Sequence, residues 1–348
     1  MKEFDVIILG AGAAGLMCAI TAGQRGKRVL VLERSNKVGK KILMSGGGRC
    51  NFTNLYVTPE NYLSNNPHFC KSALSRYTQW DFIALVQKHK IAYHEKTQGQ
   101  LFCDGSSKEI VKMLLDECKD AGVQIITQCE TDKIQHQYEL STNKGKFSTK
   151  SLVIATGALS IPTLGGSGYG YNVAEQFGLT LLPKSAGLVP FTFTDSTKAL
   201  TNELSGVSLP VTLSNDRASF TDDILFTHRG LSGPTVLQLS SYWQPGESIS
   251  VNLLPDHDAY EYLLSTKNKH SKSLLRNFLS NDLPKKLVQS LEPLWWPTVS
   301  DAPLAEISNE ILANIANQLS SWTLKPAGTE GYRTAEVTLG GVDTKHLS

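Results

Sequence analysis

The sequence predicts an α/β fold that opens with a βαβ unit and continues into a region of short strands and then a region of helices. Two observations carry this. Between residues 4 and 33 a β-branched run, a glycine turn, a helix-like segment and a second apolar run follow one another, within the roughly thirty residues of one βαβ unit. Beyond Pro183 the pattern breaks into short apolar runs separated by turns, and from His257 to about Gln318 it becomes helical.

FDVIIL at 4–9 has the composition of a strand buried on both faces, and RVLVLE, ending on Glu33, is a second. Between them GAGAAG at 10–15 leads into the helix-like LMCAITAGQRG. Residues 55–100 are mixed and helical in part, with apolar residues at 82, 83, 85 and 86. Ser106 and Ser107 can cap a helix whose apolar positions Ile110, Val111, Leu114, Leu115 and Cys118 recur at helical spacing. VQIIT then reads as a strand, 137–149 as a weak hairpin, and SLVIATG at 151–157 as a further buried strand with a glycine exit. LVPFTFT, GVSLPVTL and ASFTDDILFT suggest a small β domain, and GPTVLQLSSYW a helix opening at Gly233-Pro234. SKSLLRNFL, PKKLVQSL and APLAEISNEILANIANQL are helical segments punctuated by Pro255, Pro284, Pro297 and Pro303. AEVTLGG at 335–341 returns to strand character.

Composition excludes several classes. With 348 residues, 41% of them hydrophobic, the chain can build a real core and more than one domain. A formal net charge of +2 is not that of a basic protein that coats nucleic acid, nor of an acidic tail. No run reaches the roughly 18–20 uncharged apolar residues of a membrane helix. The apolar start is not expected to act as a signal peptide, because Glu3 and Asp5 interrupt the basic region and glycines stand at 10, 12 and 15. Six cysteines lie far apart with no CxxC pair, as reduced thiols of a cytoplasmic protein would.

GAGAAG is a weak signal by itself. Between a strand and a helix, with an acid ending the next strand, it becomes strong. Gly10 permits the tight turn, Gly12 admits a pyrophosphate to the backbone, and Gly15 lets helix pack on strand. The N–H groups at the helix start, around Ala13 and Ala14, face the phosphates, and Glu33 accepts hydrogen bonds from an adenosine ribose. This fingerprint does not separate FAD from NAD. A second clue is the strand ending in Ala155, Thr156 and Gly157, which is similar to the ATG strand of two-domain FAD proteins. A third is KKILMSGGGRCNFTN at 40–54, where no acid stands between Lys37 and Asn54. Its cations can neutralise a pyrophosphate, and its glycines can lie along the edge of a flat flavin ring. A flexible surface loop and an RNA-binding loop are the other readings of that stretch. The expected cofactor contacts are therefore Gly10, Gly12, Ala13, Ala14, Gly15, Glu33, Arg34, Lys40, Ser45, Gly46, Gly47, Gly48, Arg49, Asn51, Thr131, Ala155, Thr156 and Gly157, with no metal.

Together GAGAAGL, KKILMSGGGRCNFTN, GQLFCDGSSKEIVKMLL, SLVIATGALSIPTLGGSGYGY, FTHRGLSGPTVLQLS and AEVTLGGV resemble the BaiN/RdsA-like flavoprotein family, from residue 4 to about 345. Its members include flavin-dependent bile-acid reductases and enzymes that make dihydrouridine in ribosomal RNA. The resemblance implies FAD, a cytoplasmic setting and a Rossmann-type FAD-binding domain over 1–185 with a return segment at 330–348. It further implies an inserted β domain over 186–256 and an inserted helical domain over 257–329. Family members continue past AEVTLGGV into another strand and a glycine-rich turn, whereas this sequence ends at Ser348. The expectation is an unfilled sheet edge, one open wall of the flavin pocket and weakened FAD retention.

The implied chemistry is reduction of an activated C=C bond, with hydride from the flavin and a proton from a protein acid. Uridine in ribosomal RNA is the expected substrate. Small enones or steroids are the alternative, and a non-catalytic flavin-binding module is the third reading. Cys50 and His228 are the candidate proton donors, and each also fits a bland role, as core filler and structural histidine. Ser232 and Gly233 suggest a helix-start anion site. GSGYGY at 166–171 fails the GxGxxG spacing, so NAD(P)H is expected only as a transient reductant stacked over the flavin. The basic runs at 267–272 (KNKHSK) and Lys285-Lys286 are RNA-contact candidates, although such runs are more often solvated faces than binding sites. Trp295-Trp296 reads as helical packing or as a stacking surface.

Overall fold

Strand β1 (Lys2–Leu9) is apolar on both faces from Val6 to Leu9, and this makes it the centre of a sheet. Ile8 packs with Leu16, Val31 and Met113 on one side, while Ile7 and Leu9 join Leu30, Leu32 and Phe147 on the other. A strand whose successive side chains point to opposite faces requires a layer on each side. The computed structural model describes residues 1–347. It divides into two compact units, Met1–Lys184 with the residues from Gly340 on, and Ser185–Leu339.

In the first unit, β1 is followed by α1 (Ala13–Gln24), β2 (Val29–Leu32), α2 (Lys40–Met44) and β3 (Asn51–Asn54). Then come α3 (Lys71–Arg76), α4 (Gln79–Lys88), β4 (Tyr93–Glu95), β5 (Gln100–Cys103) and α5 (Ser107–Asp120). β6 (Gln124–Ile126), β7 (Thr131–Ile134), β8 (Glu139–Thr142), β9 (Gly145–Ile154) and α6 (Tyr169–Gln176) complete it. The main sheet has the order β6-β2-β1-β9-β8-β7. Its four strands β6, β2, β1 and β9 run parallel, and the β7–β8–β9 meander is antiparallel. The chain thus winds outward from β1 through β2 to β6 and later returns to β1's other edge as β9. That reversal is the Rossmann-type switch point, where ligands bind beyond the carboxyl ends of the strands. β3, β5 and β4 form a separate three-stranded sheet.

α5 starts as its sequence requires. Ser106 accepts from the N–H of Lys108, and Glu109 reaches back to the N–H of Ser106, a reciprocal cap. Thr78 and Asp81 repeat the device at α4. One expectation needs correction: SLVIATG is not a fully buried strand. It is the second half of β9, where Ser151–Ile154 pair with β1 alone among the described residues while the first half also pairs with β8, and Ile154 is 38% exposed.

β10 (Leu181–Gly187) leads into the second unit, which contains β11 (Phe191–Thr192), α7 (Asp195–Glu203), β12 (Ser208–Ser214), β13 (Ser219–Thr227) and β14 (Gly230–Ser232). α8 (Pro234–Ser240), β15 (Ile249–Asn252), α9 (Ala259–Lys269), α10 (Leu275–Leu279) and α11 (Lys285–Trp295) follow. α12 (Asn309–Ser320), β16 (Trp322–Leu324), β17 (Gly328–Thr329) and β18 (Val337–Val342) complete the set, and β18 pairs with β10. Seven strands form an antiparallel sheet in the order β16-β15-β12-β13-β14-β11-β17. LVPFTFT contributes only Phe191 and Thr192 to it, since Pro190 has no N–H for a ladder. Leu209, Val211 and Leu213 of β12 alternate inward and share one core with Leu263, Leu287, Leu291, Leu312 and Ile315 of the helices. Trp296 is buried in that core and Trp295 packs edge-on against Trp322, so this pair is packing. Among the described residues, no helix is long and apolar enough to cross a membrane.

α4 and α5 are joined by a buried carboxylate. Glu117 accepts from Lys88 at 2.6 Å and pairs with His89 at 2.7 Å. These two partners hold its carboxyl below the usual glutamate range, Lys88 foremost. A depressed folded-state pKa gives stability that is present above the ordinary glutamate value and lost as pH falls through the folded one. Glu117→Gln should therefore cost about 1–2 kcal/mol at neutral pH. Urea denaturation of both proteins across pH should show that deficit shrinking below the ordinary glutamate range.

Candidate cofactor site

The turn after β1 is held by contacts that leave no room for side chains. Gly10 has φ +104°, and a Cβ there would lie 2.3 Å from the Ala155 carbonyl oxygen. A Cβ on Gly15 would lie 1.9 Å from the carbonyl oxygen of Gly10. The N–H of Ala155 donates to the Leu9 carbonyl at 2.8 Å, so the exits of β1 and β9 are locked together. Gly12 differs from both: nothing lies within 4 Å of where its Cβ would be. The backbone at the start of α1 is thus bare on the side facing away from the protein. Gly12, Ala13 and Ala14 present N–H groups there, with no side-chain cap on the helix.

Glu33 sits at the matching end of β2. One carboxylate oxygen accepts from the N–H of Ala11 at 2.8 Å and the other from the N–H of Ser35 at 2.7 Å. Each oxygen keeps lone-pair capacity for a further donor, and Glu33 lines a cavity of about 540 Å³. Gly10, Arg34, Lys40, Thr131 and Thr156 line the same cavity. The buried Thr156 hydroxyl has no hydrogen-bond partner among the described residues. An anchored carboxylate and an orphaned hydroxyl around one cavity fit the ribose portion of a dinucleotide, and the bare helix start at Gly12, outside that lining, follows Gly10 in the same turn.

The sequence reading does not reach several lining residues. Glu130 and Asp132 arrive because the N–H of Gln128 donates to Ser35 and that of Cys129 to Glu33, pairs about a hundred positions apart. Gly165, Ser167 and Tyr169 come from the segment after β9, whose density of glycine is the one local hint. Burial pushes the Tyr169 phenol up, against a hydrogen bond with Thr131.

The glycine-rich stretch is tied to this turn. The N–H of Gly39 donates to the Ala11 carbonyl, and Ser107 donates to the Leu43 carbonyl, which anchors α2 on α5. Lys41 reaches Ser160 at 2.8 Å. Ser45 then opens a short 3₁₀ segment in which Gly46, Gly47 and Gly48 have φ of +57°, +64° and +91°. Gly46 also meets the Phe102 ring, 2.6 Å from its missing Cβ, whereas Gly47 and Gly48 face open space. Three glycines are thus needed for three left-handed residues in a row, and two of them leave the backbone uncovered. Gly157 likewise has φ +75° and open space around it.

Cys50 follows at φ +53°, a strained setting for a side chain that is also buried. Burial pushes its thiol up, partly offset by Ser45, while Cys103 is pushed up to about 12 by burial and by Cys50. Arg49 is exposed. Asn51 is also exposed, and its amide, oriented to donate to the carbonyls of Thr53 and Leu101, spans the irregularity between β3 and β5. His228 belongs to the second unit, exposed in the turn from β13 to β14. Ser232 and Gly233, the helix-start pair, belong to the second unit, where Gly233 has φ +99°. A Cβ on Gly233 would touch the Asp223 carbonyl oxygen at 2.7 Å, so β13 backbone occupies that space. Lys267 of the KNKHSK run is committed to the Ile307 carbonyl and to Asn309. Among the described residues no group of His, Cys, Asp and Glu could hold a metal ion, and all six cysteines are free.

This arrangement can be compared with known proteins. A ribosomal RNA dihydrouridine synthase of Escherichia coli K12 is 53% identical over all of this chain and 88% of its own length. The ribosomal RNA dihydrouridine synthase of Haemophilus influenzae Rd is 50% identical, over 98% of this chain and 86% of that protein. A 3-dehydro-bile acid delta(4,6)-reductase of Clostridium scindens is 24% identical over 97% of this chain and 86% of its own. The family model described as HI0933-like protein Rossmann domain matches residues 4–348. The chain with this switch-point turn belongs to the HI0933-like family.

Proposed function

We propose that this chain is a FAD-dependent oxidoreductase that reduces the 5,6 double bond of a uridine in ribosomal RNA, giving dihydrouridine. The observation that carries the reading is the full-length identity to two ribosomal RNA dihydrouridine synthases. The geometry supports it with a dinucleotide-shaped turn at the end of β1. FAD, when bound, supplies the hydride for a conjugated C=C bond.

The chain's own residues supply the rest. The N–H groups of Gly12, Ala13 and Ala14 hold the pyrophosphate, Lys40 offsets its charge, and Glu33 holds the ribose. Gly47 and Gly48, bare of side chains, line the isoalloxazine side, with Arg49 beside them. His228, exposed to solvent, is the proposed proton donor, because an imidazole readily passes protons to and from water. Cys50 is the second candidate, although burial makes its thiol hold the proton more tightly. NAD(P)H serves as transient reductant. The setting is cytoplasmic, where ribosomal RNA is found and free thiols stay reduced.

A second reading has its own support in the bile-acid reductase, which matches nearly the whole chain. It keeps the chemistry and makes a small enone the substrate.

Ribosomal RNA from cells with and without the gene should differ by one dihydrouridine in nucleoside mass spectrometry, and equal content would remove the RNA substrate. Glu33→Gln should weaken FAD binding about tenfold by titration, the scale of one charge-assisted hydrogen bond. Unaltered affinity would show that Glu33 holds no ribose. Anaerobic reduced protein should be reoxidised slowly or not at all by steroid enones. Fast reoxidation by them, with RNA inert, would favour the second reading.

A further inference from the structure

From Asn51 to Phe82 not one residue is buried. Yet this span carries Tyr56, Tyr62, Leu63, Phe69, Tyr77 and Trp80, each between 43% and 68% exposed. They are half of the large apolar side chains exposed among the described residues, and the others are scattered singly. Isolated exposed apolar residues are ordinary, whereas a cluster on one segment marks a binding surface.

Two of the six, Tyr62 and Tyr77, line a groove of about 510 Å³ built wholly from this span, within the size range of sites that take small molecules or single chemical groups. Tyr62, Tyr77 and Phe82 supply flat apolar walls. Between them stand hydroxyls and the Gln79 amide. The Gln79 nitrogen is committed to the Leu55 carbonyl at 3.1 Å, which fixes the amide and leaves its oxygen as an acceptor. Lys71 is the only charged side chain in the lining among the described residues. The acids of the span are locally engaged. Asp81 accepts from Thr78, and a hydrogen bond with Thr58 keeps Glu60 ionised near Lys71, whose charge it tempers.

We propose that this groove anchors one unpaired base of the RNA substrate, next to the uridine that is reduced. The proposal rests on the reading of the chain as a ribosomal RNA enzyme and assigns that RNA a second point of attachment. Bases splayed from an RNA loop are held by stacking on aromatic rings and by hydrogen bonds to their edges, with a cation for the phosphate. The groove offers all three. A protein partner is the poorer fit, because the centres of protein interfaces are depleted in lysine and serine, and Lys71 and Ser75 are both in this lining. Position agrees as well. β3 begins at Asn51, three residues after Gly48, and its Thr53 lines the groove, so the groove follows the three glycines directly along the chain.

The test is binding of the full-length, FAD-loaded chain to an unmodified transcript of large-subunit ribosomal RNA, measured over a range of salt. Tyr62→Ala should bind about tenfold or more weakly. Lys71→Gln should lower the dependence of log affinity on log salt by about 0.7. An unchanged flavin spectrum in each variant checks that the fold is kept. Wild-type binding that both variants reproduce would overturn the anchor and leave the RNA reading standing. Wild-type protein that holds FAD but never binds the transcript would remove the RNA reading and the anchor with it. Variants that alter elution volume without altering RNA affinity would show a self-association face instead, and so overturn the anchor. If Tyr62→Ala fails to fold, Tyr62→Leu, which keeps apolar bulk without a ring to stack on, takes its place. Weakened RNA binding by Tyr62→Leu supports the proposal, and wild-type affinity contradicts it.

Discussion

The site end of the first unit depends on two close approaches in series, that of Gly10 to the end of β9 and that of Gly15 to Gly10. A methyl group at either glycine would fall within 2.3 Å of a carbonyl oxygen. Because no side chain intervenes, α1 can start immediately beyond β1 and point its N–H groups at the switch point. The hydrogen bond from Ala155 to Leu9 fixes the other lip. Glu33 then bonds back to Ala11, which ties the end of β2 to the same turn. Gly39 does likewise for α2, so the glycine-rich stretch inherits its position from the turn.

How much of this is legible in the sequence follows from how local the causes are. The βαβ unit, the caps of α4 and α5 and the helix at Pro234 are set by neighbours within a few residues, and the sequence reports them. The alternation of Leu209, Val211 and Leu213 is equally plain in the letters. The cavity is only half legible. Gly10, Glu33, Lys40 and Thr156 belong to recognisable patterns, but Glu130 and Tyr169 reach it through sheet pairing and chain return that no window reveals. SLVIATG misleads because an apolar run looks the same whether a strand is covered on both edges or on one.

The triple glycine has two causes that the letters merge. All three residues are left-handed, which alone explains why they are glycine. Only Gly46 is additionally excluded by a neighbour, the Phe102 ring, while Gly47 and Gly48 remain open. The strain continues into Cys50, a buried residue with positive φ, and from there the chain enters β3 and the aromatic groove. Cofactor side, strained loop and exposed aromatics thus lie in one continuous stretch of about forty residues.

Gly12 offers the most direct test, because it is the one glycine of the turn whose side-chain space is empty. Its φ of −84° suits any residue. FAD titration of Gly12→Asp, alongside its thermal midpoint, separates fold from ligand. The account predicts an unchanged midpoint for the cofactor-free proteins, tight FAD binding by the wild type and none by the variant, since a carboxylate would occupy the pyrophosphate position. A folded Gly12→Asp protein that binds FAD as tightly as the wild type would contradict it.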